Sequence, residues 1–385
     1  MQQRKQRGAV VLFSLGIVVL LSTLGSAVLL RSLNETQLSR RSAARQSAFF
    51  LAEGGVDQAL LNLRTPTDLT DDVNTSALLT GTFTIDSPPV DLGNNRWQVT
   101  THGTAQQEQR TMQAVFQLTP QSVFQFALFG AQDVNVSGNA TTDSYDSSVG
   151  PYDEDTAGHN GDVGTNAVTA GGVDVSGSIF VDGQVAVGPN VSDPTSVVTG
   201  YNPAFITGGT SPPTDTQDVV SQGMTFPMPA VTVPSDLTCS DRTITGNTTV
   251  TLTPGTYCYH NLTIQGNADL VASGDVTIYI TGEMTAQGNS TVGVSSDPGR
   301  MLFLMSSSAG ATLEQTITGS NLFYGAIYGP QATITITGNA EVYGSIIAKQ
   351  VNLTGSAEIH YDEALADETQ ISNLYQTALT SWREL

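Results

Sequence analysis

The chain has 385 residues, with 35 acidic and 14 basic side chains, a net charge of −21 and only 13% charged residues. This length allows two or three domains. The charge is uneven, because residues 1–64 carry eight Lys and Arg against three acids, whereas the other 321 residues carry six against 32. A surface this acidic repels phosphate backbones, so we predict no nucleic-acid partner.

The composition also argues against catalysis and against a bound cofactor. Residues 65–385 contain only six Lys and Arg, two cysteines and four scattered histidines, which give few candidates for acid–base pairs or metal clusters. Paired carboxylates on repetitive β structure would suit a carbohydrate-cleaving enzyme, but such sites usually add several Arg, Lys or His residues. We therefore predict that the protein is not an enzyme, and that the histidines lie on the surface or in turns: His102, His159, His260 and His360.

The N-terminal segment is long and apolar enough to cross a membrane. Residues 9–30 contain no charge and would span about 33 Å as a helix, against a hydrocarbon core of about 30 Å. Arg4, Lys5 and Arg7 precede this run and favour a cytoplasmic N-terminus. A cleaved signal peptide, whose apolar region is usually shorter, and a plain uncleaved anchor are the alternatives.

The residues beyond the apolar run predict that the same helix continues outside the membrane. Residues 33–64 lack proline, and Thr65-Pro66 then ends the pattern. A helix from residue 9 to 63 would be about 80 Å long. Its outer half is amphipathic, which suits lateral packing into a filament, and its apolar face comprises Ala44, Ala48, Ala52, Val56, Ala59 and Leu63.

The sequence RKQRGAVVLFSLGIVVLL, followed by SRRSAARQSAFFLAEGGVDQALLNL, resembles the N-terminal domain of PilX-type minor pilins of type IV pilus systems. It is also similar to the tip pseudopilin of type II secretion. The resemblance implies a basic leader at residues 1–8, cleavage by prepilin peptidase after Gly8, a new N-terminus at Ala9, and packing against pilin or pseudopilin subunits. Major pilins carry a glutamate where this chain has Phe13, which implies a rare or tip subunit.

Residues 65–121 predict a small antiparallel β head that packs on the helix. Segments 81–86, 96–101 and 110–118 alternate apolar and polar residues, and Pro88-Pro89 marks a turn between the first two. The predicted core comprises Phe83, Ile85, Trp97, Val99, Val115 and Phe116. We predict no functional site in this region.

Residues 122–361 repeat a short pattern of alternating apolar residues followed by glycine. The last six of these glycines are 20, 22, 31, 19 and 17 residues apart, close to the roughly 20 residues of one coil in a parallel β-solenoid. A β-sandwich is the alternative. Long inserts are predicted near 143–162 and 189–234, and the pattern glycines are Gly138, Gly177, Gly246, Gly266, Gly288, Gly319, Gly338 and Gly355.

The C-terminal part carries a second resemblance and a predicted cap. Residues 323–367, with the motifs YGAIY and GNAEVYGSI, are similar to a C-terminal domain of uncharacterised bacterial surface proteins. Residues 362–385 predict a helix that covers the last coil, because a solenoid end must be capped. The residues at near-helical spacing are Leu365, Ile371, Leu374, Ala378 and Trp382.

Three groups of residues are candidate sites in the repeat region. Cys239 and Cys258 are one coil apart and predict a disulfide between neighbouring coils. An acidic loop could hold calcium, although a solvated loop is the preferred interpretation, and its weak candidates are Asp153, Asp155 and Asp162. Four tyrosines predict a stacked ladder, with sugar binding as the alternative: Tyr324, Tyr328, Tyr343 and Tyr361.

Taken together, the sequence predicts a mainly β protein with a long N-terminal α-helix, a pilin-like helix plus small antiparallel sheet, and then a parallel β-solenoid. The predicted function is that of a minor pilin-like or pseudopilin-like subunit, anchored once in the bacterial inner membrane with its C-terminal part outside the cytoplasm. An uncleaved, membrane-anchored envelope solenoid without a pilus role is the alternative. A third hypothesis is adhesion through the solenoid.

Overall fold

The computed structural model describes residues 2–62, 76–78, 81–86, 89–206, 218–306, 313–368 and 375–385. These residues form a mainly β fold with one long N-terminal helix, one antiparallel sheet and one parallel sheet. The chain divides into two units, the first comprising Met1–Thr119 with Tyr375–Leu385 and the second Pro120–Leu374. The second unit therefore begins two residues before the predicted start of the repeat region.

A single helix, α1, runs from Gln2 to Asn62 and has two different halves. The side chains of residues 15–43 are all exposed. Further along, one stripe is buried, made of Ala44, Ala48, Leu51, Ala52, Val56 and Ala59. The helix thus includes the predicted leader, and its outer half buries the predicted face, apart from Leu63, which lies outside the described residues together with Thr65-Pro66.

The first unit packs this stripe against an antiparallel sheet. The order of the main strands is β1-β2-β4-β5-β26, and β3 pairs with β4. The strands are β1 (Ser76–Leu78), β2 (Gly81–Ile85), β3 (Val90–Gly93), β4 (Arg96–Ala105), β5 (Glu108–Pro120) and, at the end of the chain, β26 (Tyr375–Glu384).

Alternation along the strands decides which side chains face α1. Phe83, Ile85, Val99 and Phe116 are buried, as predicted, but Trp97 is only partly buried. Val115 is also only partly buried, because the buried side chains of β5 are those at even positions: Met112, Ala114, Phe116 and Leu118. The prediction placed both faces of β5 in the core, which a strand with a period of two does not allow.

The predicted C-terminal helix is wrong. Residues Glu363–Asp367 form one 3-10 turn, and Tyr375–Glu384 form the strand β26 at the edge of the first unit's sheet. The backbone N–H of Leu385 donates to the carbonyl of Thr111 at 3.0 Å, and the Thr380 hydroxyl donates to that of Val115 at 2.8 Å. Pairing along the open edge of β5 satisfies backbone N–H and C=O groups on both strands. This gain outweighs the weak preference for a helix that a few apolar residues at near-helical spacing had indicated.

The second unit is built from short parallel strands. They are β6 (Leu128–Val136), β7 (Asn139–Tyr145), β8 (Val163–Thr165), β9 (Val173–Val175), β10 (Ser178–Val181), β11 (Val185–Val187), β12 (Val198–Thr199), β13 (Val219–Ser221), β14 (Ser240–Gly246), β15 (Thr249–Leu252), β16 (Gly255–Gly266), β17 (Asp269–Ala272), β18 (Val276–Ile280), β19 (Met284–Gly288), β20 (Thr291–Val292), β21 (Met301–Met305), β22 (Leu313–Gly319), β23 (Leu322–Gly338), β24 (Glu341–Gly355) and β25 (Glu358–Asp362).

Parallel pairing arranges these strands in three rows. The first row runs β14-β16-β19-β22-β23-β24-β6-β9-β12. The second runs β15-β17-β20-β23-β24-β25-β7-β10. The third runs β16-β18-β21-β23-β24-β6-β8-β11-β13. One apolar core of Val, Ile, Leu, Met and Phe side chains serves all three rows.

The pattern glycines of the sequence form one column in this arrangement. Pairing joins Gly246 to Gly266, and then in turn to the glycines of β19, β22, β23 and β24. Gly266 and Gly288 have positive φ, and a Cβ at Gly288 would clash with the backbone of Gly266. Glycine is therefore required at this column both by backbone conformation and by the closeness of the next strand.

The strands do not stack in the order of the sequence. β24 pairs with β6, and β25 pairs with β7. The N-terminal strands of the unit thus continue the stack beyond its C-terminal strands. Spacing reports the length of a coil, but any two coils with matching rungs can stack, so spacing alone cannot fix their order.

This order requires a return segment, and residues 222–239 provide it. Asn166 exchanges two hydrogen bonds with the backbone of Phe226, at 2.7 and 2.8 Å. The Tyr328 hydroxyl donates to the carbonyl of Pro229, and the Ser306 hydroxyl donates to that of Val231. The predicted insert at 189–234 therefore ends as a strap along the third row. Part of that insert, 207–217 with Pro212-Pro213, lies outside the described residues.

Candidate functional site

The first half of α1 is an exposed apolar surface. An apolar stretch within Leu15–Leu60 is long enough, by length and composition, to cross a membrane, and none of it is buried. Phe13 is 74% exposed, and the large apolar residues from Leu15 to Leu38 are also exposed. By length and composition this surface fits a membrane anchor or a signal sequence, and contact with water is unfavourable for its apolar side chains.

Charges occur on α1 only outside the apolar run. The Arg31 guanidinium donates to the Glu35 carboxylate at 3.0 Å, one helical turn apart and fully in solvent, so this pair adds little stability. The predicted processing residues, Gly8 and Ala9, lie in the early turns of the helix. The helix therefore has a basic start, an apolar middle and a charged exit, before its packed half begins.

Cys239 and Cys258 form a disulfide with a Cα–Cα distance of 4.6 Å. Ser240 of β14 pairs with Tyr259 of β16, so the bridge joins neighbouring positions in two adjacent rungs. β14 is the outermost strand of the first row, and most of its side chains are exposed. The disulfide therefore ties the end of the return strap and the terminal strand to the rest of the stack.

Removing this bridge should loosen the end of the stack. The bridge closes a loop of about 20 residues. The chain-entropy model therefore predicts that the double variant Cys239→Ser/Cys258→Ser loses about 3 kcal/mol of unfolding free energy. We expect backbone hydrogen exchange to accelerate first in residues 240–252. Exchange should change little in strands β6 to β9, which lie away from the bridge in the stack. Exchange that stays slow in residues 240–252 would contradict a stapling role.

The structure places two of the three calcium candidates, Asp153 and Asp155, at one 3-10 turn, and the third, Asp162, directly before β8. Asp153 caps the 3-10 turn Glu154–Thr156, where its carboxylate accepts from the backbone N–H of Asp155 at 3.0 Å. Asp162 is partly buried and accepts from the N–H of Gln184 at 2.7 Å, and this burial raises the pKa of its carboxyl. Among the residues that the structure describes, no three His, Cys, Asp or Glu side chains are grouped to hold a metal directly.

The histidines occupy four different environments. His102 bonds Thr111 and Asp86, and the exposed His260 bonds Thr281. His159 Nδ1 lies 2.7 Å from Asp182. His360, predicted to be at the surface, is instead 3% exposed, because it lies in the second row between a tyrosine and an aspartate.

The predicted tyrosine ladder exists in part. Tyr324 stacks on Tyr343, with ring centroids 4.6 Å apart, and Tyr343 lies 4.6 Å from the ring of His360. The other two tyrosines are elsewhere: Tyr328 is buried under the return strap, and Tyr361 donates to the carbonyl of Phe124. Period-two alternation explains Tyr361, which is one residue after His360 and so faces the core, whereas Tyr328 belongs to the third row and not to the second.

Asp143 extends the ladder with charge. One of its oxygens lies 2.7 Å from His360 Nδ1 and the other accepts from the Tyr152 hydroxyl at 2.7 Å. Burial, and next the hydrogen bond to Asp143, raise the pKa of Tyr152. A cleft of about 650 Å³ lies beside this cluster, lined by Tyr145, Asp146, Tyr152, Asp153 and Glu363 among others. Its lining comes from one segment, residues 145–158, together with Glu363. The sequence predicted an insert at 143–162 but not the cleft, because the cleft depends on how that insert folds.

Two further buried groups had no signal in the sequence. Tyr145 and Asp362 face each other on adjacent rungs of β7 and β25. Tyr145 Oη and Asp362 Oδ2 are the buried side-chain atoms without a hydrogen-bond partner in the described part of the chain. Burial raises the pKa of both side chains, although hydrogen bonds from Ser147 and Ala364 oppose the shift at Asp362.

Comparison with known proteins gives one family match and several distant structural likenesses. Residues 261–368 match a family described as a domain of unknown function, DUF7305. No curated protein matches the chain. The competence-associated pilin ComZ from Thermus thermophilus is similar over 89% of this chain and 97% of its own, at 11% identity and a TM-score of 0.30.

Two ice-binding proteins are similar over 62% of this chain, each at 15% identity. One, from an Antarctic Flavobacteriaceae bacterium, is covered over 46% of its length at a TM-score of 0.33. The other, the DUF3494 domain of Shewanella frigidimarina ice-binding protein_1, is covered over 95% at a TM-score of 0.32. Similarities this low identify neither a family nor a ligand.

Proposed function

We propose that this protein is a minor pilin-like or pseudopilin-like structural subunit of a type IV pilus or a related secretion filament. The observation that carries the proposal is the two-part helix α1. One continuous helix leaves an apolar first half fully exposed and buries an alanine-rich stripe of its second half against an antiparallel sheet. Such a helix can anchor in a bilayer and then bundle with other helices in a filament core.

The second unit is the displayed part in this proposal. Its three parallel rows, the apolar core that they share and its glycine column support a β-solenoid. The disulfide supports a location outside the cytoplasm, because disulfides persist in oxidising compartments. We therefore place the protein in the bacterial inner membrane, with a single span and its C-terminal part outside, and give it a structural rather than a catalytic role.

The proposed partners are other pilin or pseudopilin subunits, the inner membrane and prepilin peptidase. Phe13 supports a tip or rare position, because a subunit without a carboxylate there cannot neutralise the terminal amine of a neighbour in low dielectric. Cleavage after Gly8 would free that terminal amine at Ala9.

The test is co-expression of the full chain with an active or an inactive prepilin peptidase, followed by mass spectrometry of the intact protein. We expect a mature form that begins at Ala9 only with the active enzyme, and its recovery in sheared filaments. Gly8→Asn should keep Met1, whereas the control Gly16→Ala, at a position where an added Cβ meets nothing within 4 Å, should be processed normally. An intact N-terminus with the active enzyme would instead support an uncleaved envelope anchor.

A further inference from the structure

The chain carries repeated copies of the acceptor motif for asparagine-linked sugars, Asn-x-Ser/Thr, which requires a hydroxyl two residues after the asparagine. The nine copies begin at Asn34, Asn74, Asn135, Asn139, Asn190, Asn247, Asn261, Asn289 and Asn352. Asn74 lies outside the described residues, which leaves eight. The motif is short and this chain is rich in threonine and serine, so the fold must decide which copies are usable.

Three copies lie at the same corner of the second unit. Asn139, Asn247 and Asn289 each directly follow a glycine of the repeat pattern, where the chain enters a strand of the second row. All three are exposed, and no hydrogen bond of their side-chain amides lies within the described part of the chain. The required hydroxyls share one register position of that row and belong to Thr141, Thr249 and Thr291. Amide and hydroxyl are therefore offered together at the surface.

The other described copies lack this presentation. Asn135, Asn261 and Asn352 are half-buried, and hydrogen bonds already hold their side-chain amides. Asn34 lies in α1, where side chains two residues apart do not face each other. Asn190 has a positive φ, so the chain turns there and is not extended. The structure thus selects three of the eight copies, which the motif alone does not.

We propose that Asn139, Asn247 and Asn289 are sites of asparagine-linked glycosylation. The donor is an oligosaccharide carried on a lipid diphosphate. The asparagine Nδ2 forms a bond to C1 of the first sugar, and the bond from C1 to the phosphate oxygen breaks. The lipid diphosphate leaves with that electron pair, and one amide proton passes to a base of the transferring enzyme. The proposal shares with the proposed function only the location outside the cytoplasm, which an uncleaved anchor would give as well.

A sugar at Asn247 also guards the open end of the stack. β14 and β15 end their rows, and in the described part of the chain each is paired on one side only. Exposed strand edges are usually protected by charged side chains or proline, whereas residues 243–252 contain neither. Asn247 lies between these two strands, so a bulky, hydrated sugar chain there hinders pairing with the edge of another copy.

The test is glycopeptide mass spectrometry of the full-length protein, isolated from the membranes of the cells that naturally produce it. Chymotrypsin replaces trypsin because Lys and Arg are sparse in the second unit, and electron-transfer fragmentation keeps each sugar on its asparagine. We expect sugar at the three proposed sites. Asn267 and Asn339 are exposed asparagines at the same corner, but Asp269 and Glu341 stand where the hydroxyl is required, so they should be unmodified. Absence of sugar from all three sites, or equal modification of Asn267 and Asn339, would overturn the proposal.

Variants made in the same cells test the role of the hydroxyl. Thr249→Ala should abolish the sugar at Asn247, whereas Thr249→Ser, which keeps a hydroxyl, should retain it. Glu341→Thr supplies the missing hydroxyl to Asn339 and should create a fourth site. Sugar that persists at Asn247 in Thr249→Ala, or an unmodified Asn339 in Glu341→Thr, would contradict selection by this corner.

Self-association of the detergent-solubilised protein, followed by sedimentation velocity, tests the guarding role. Asn247→Gln removes the sugar next to the open edge and should increase association. The matched control Asn289→Gln removes a sugar where the strands on both sides of the corner are paired on two sides, and should not. Equal association of the two variants would disprove protection of the edge.

Discussion

Replacing Gly103 with alanine should destabilise the first unit by about 3 kcal/mol. Gly103 lies in β4, where the strand passes directly under α1, and a Cβ at this position would fall on the backbone of Ala48 and Ala52. The hydroxyl of Thr101, two residues earlier, donates to the carbonyl of Ala52 at 2.8 Å. Helix and strand are therefore in backbone contact, and a methyl group must push them apart, which loosens the packing around it.

The matched control is Gly54→Ala in α1. An added Cβ at Gly54 meets nothing within 4 Å, so the change only removes the entropy cost of a helical glycine and should stabilise by about 0.5–1 kcal/mol. Urea unfolding followed by tryptophan fluorescence measures both, because Trp97 and Trp382 both lie in the first unit. If Gly103→Ala unfolded at the urea concentration of the wild type, the close seating of α1 on β4 would be disproved.

Replacing Asn321 with alanine should cost the second unit about 3–5 kcal/mol. Asn321 has no solvent exposure, and its side-chain oxygen accepts from both the N–H and the hydroxyl of Ser290. Its amide group donates to the carbonyl of Ala286 at 2.9 Å. Truncation to alanine leaves the groups of Ser290 and Ala286 buried without their hydrogen-bond partner. Each such group costs about 1–3 kcal/mol of stability when no other partner replaces it.

Two comparison variants separate hydrogen bonding from packing. Asn321→Asp keeps the oxygen that accepts from Ser290 but cannot donate to Ala286 and adds a buried charge, so it should be at least as destabilising as alanine. Asn289→Ala changes an exposed asparagine at the glycine column of the preceding coil and should stay within about 0.5 kcal/mol of the wild type. Tyrosine circular dichroism during urea unfolding is the readout. Equal effects of Asn289→Ala and Asn321→Ala would refute the buried network.

The position of Asn321 within the repeat shows what the glycine pattern can and cannot predict. Ala140, Ala268 and Ala340 are buried two residues after a pattern glycine, and in two adjacent coils Ser290 and Asn321 occupy that same position. A polar residue in a column of small apolar ones is visible in the sequence once the register is known. That the two polar residues face each other is not visible, because it depends on which coils are adjacent.

The sequence by itself determined the local elements of this protein. An unbroken apolar run followed by an alanine stripe specifies a long helix, because a period of 3.6 residues places those alanines on one face. Alternation and regularly spaced glycines specify short strands and the column in which the glycines lie, since both are properties of neighbouring residues. Cys239 and Cys258 could be paired by spacing for the same reason.

Only the tertiary structure decided how distant segments meet. It stacks β6 and β7 on β24 and β25, returns the chain through residues 222–239, and gives Tyr375–Glu384 to the sheet of the first unit as β26. It also places Tyr145 beside Asp362 on adjacent rungs, although the two residues are distant in sequence. The physical reason is that backbone edges and buried polar groups accept any partner of suitable geometry, so their pairing depends on the whole fold and not on local sequence.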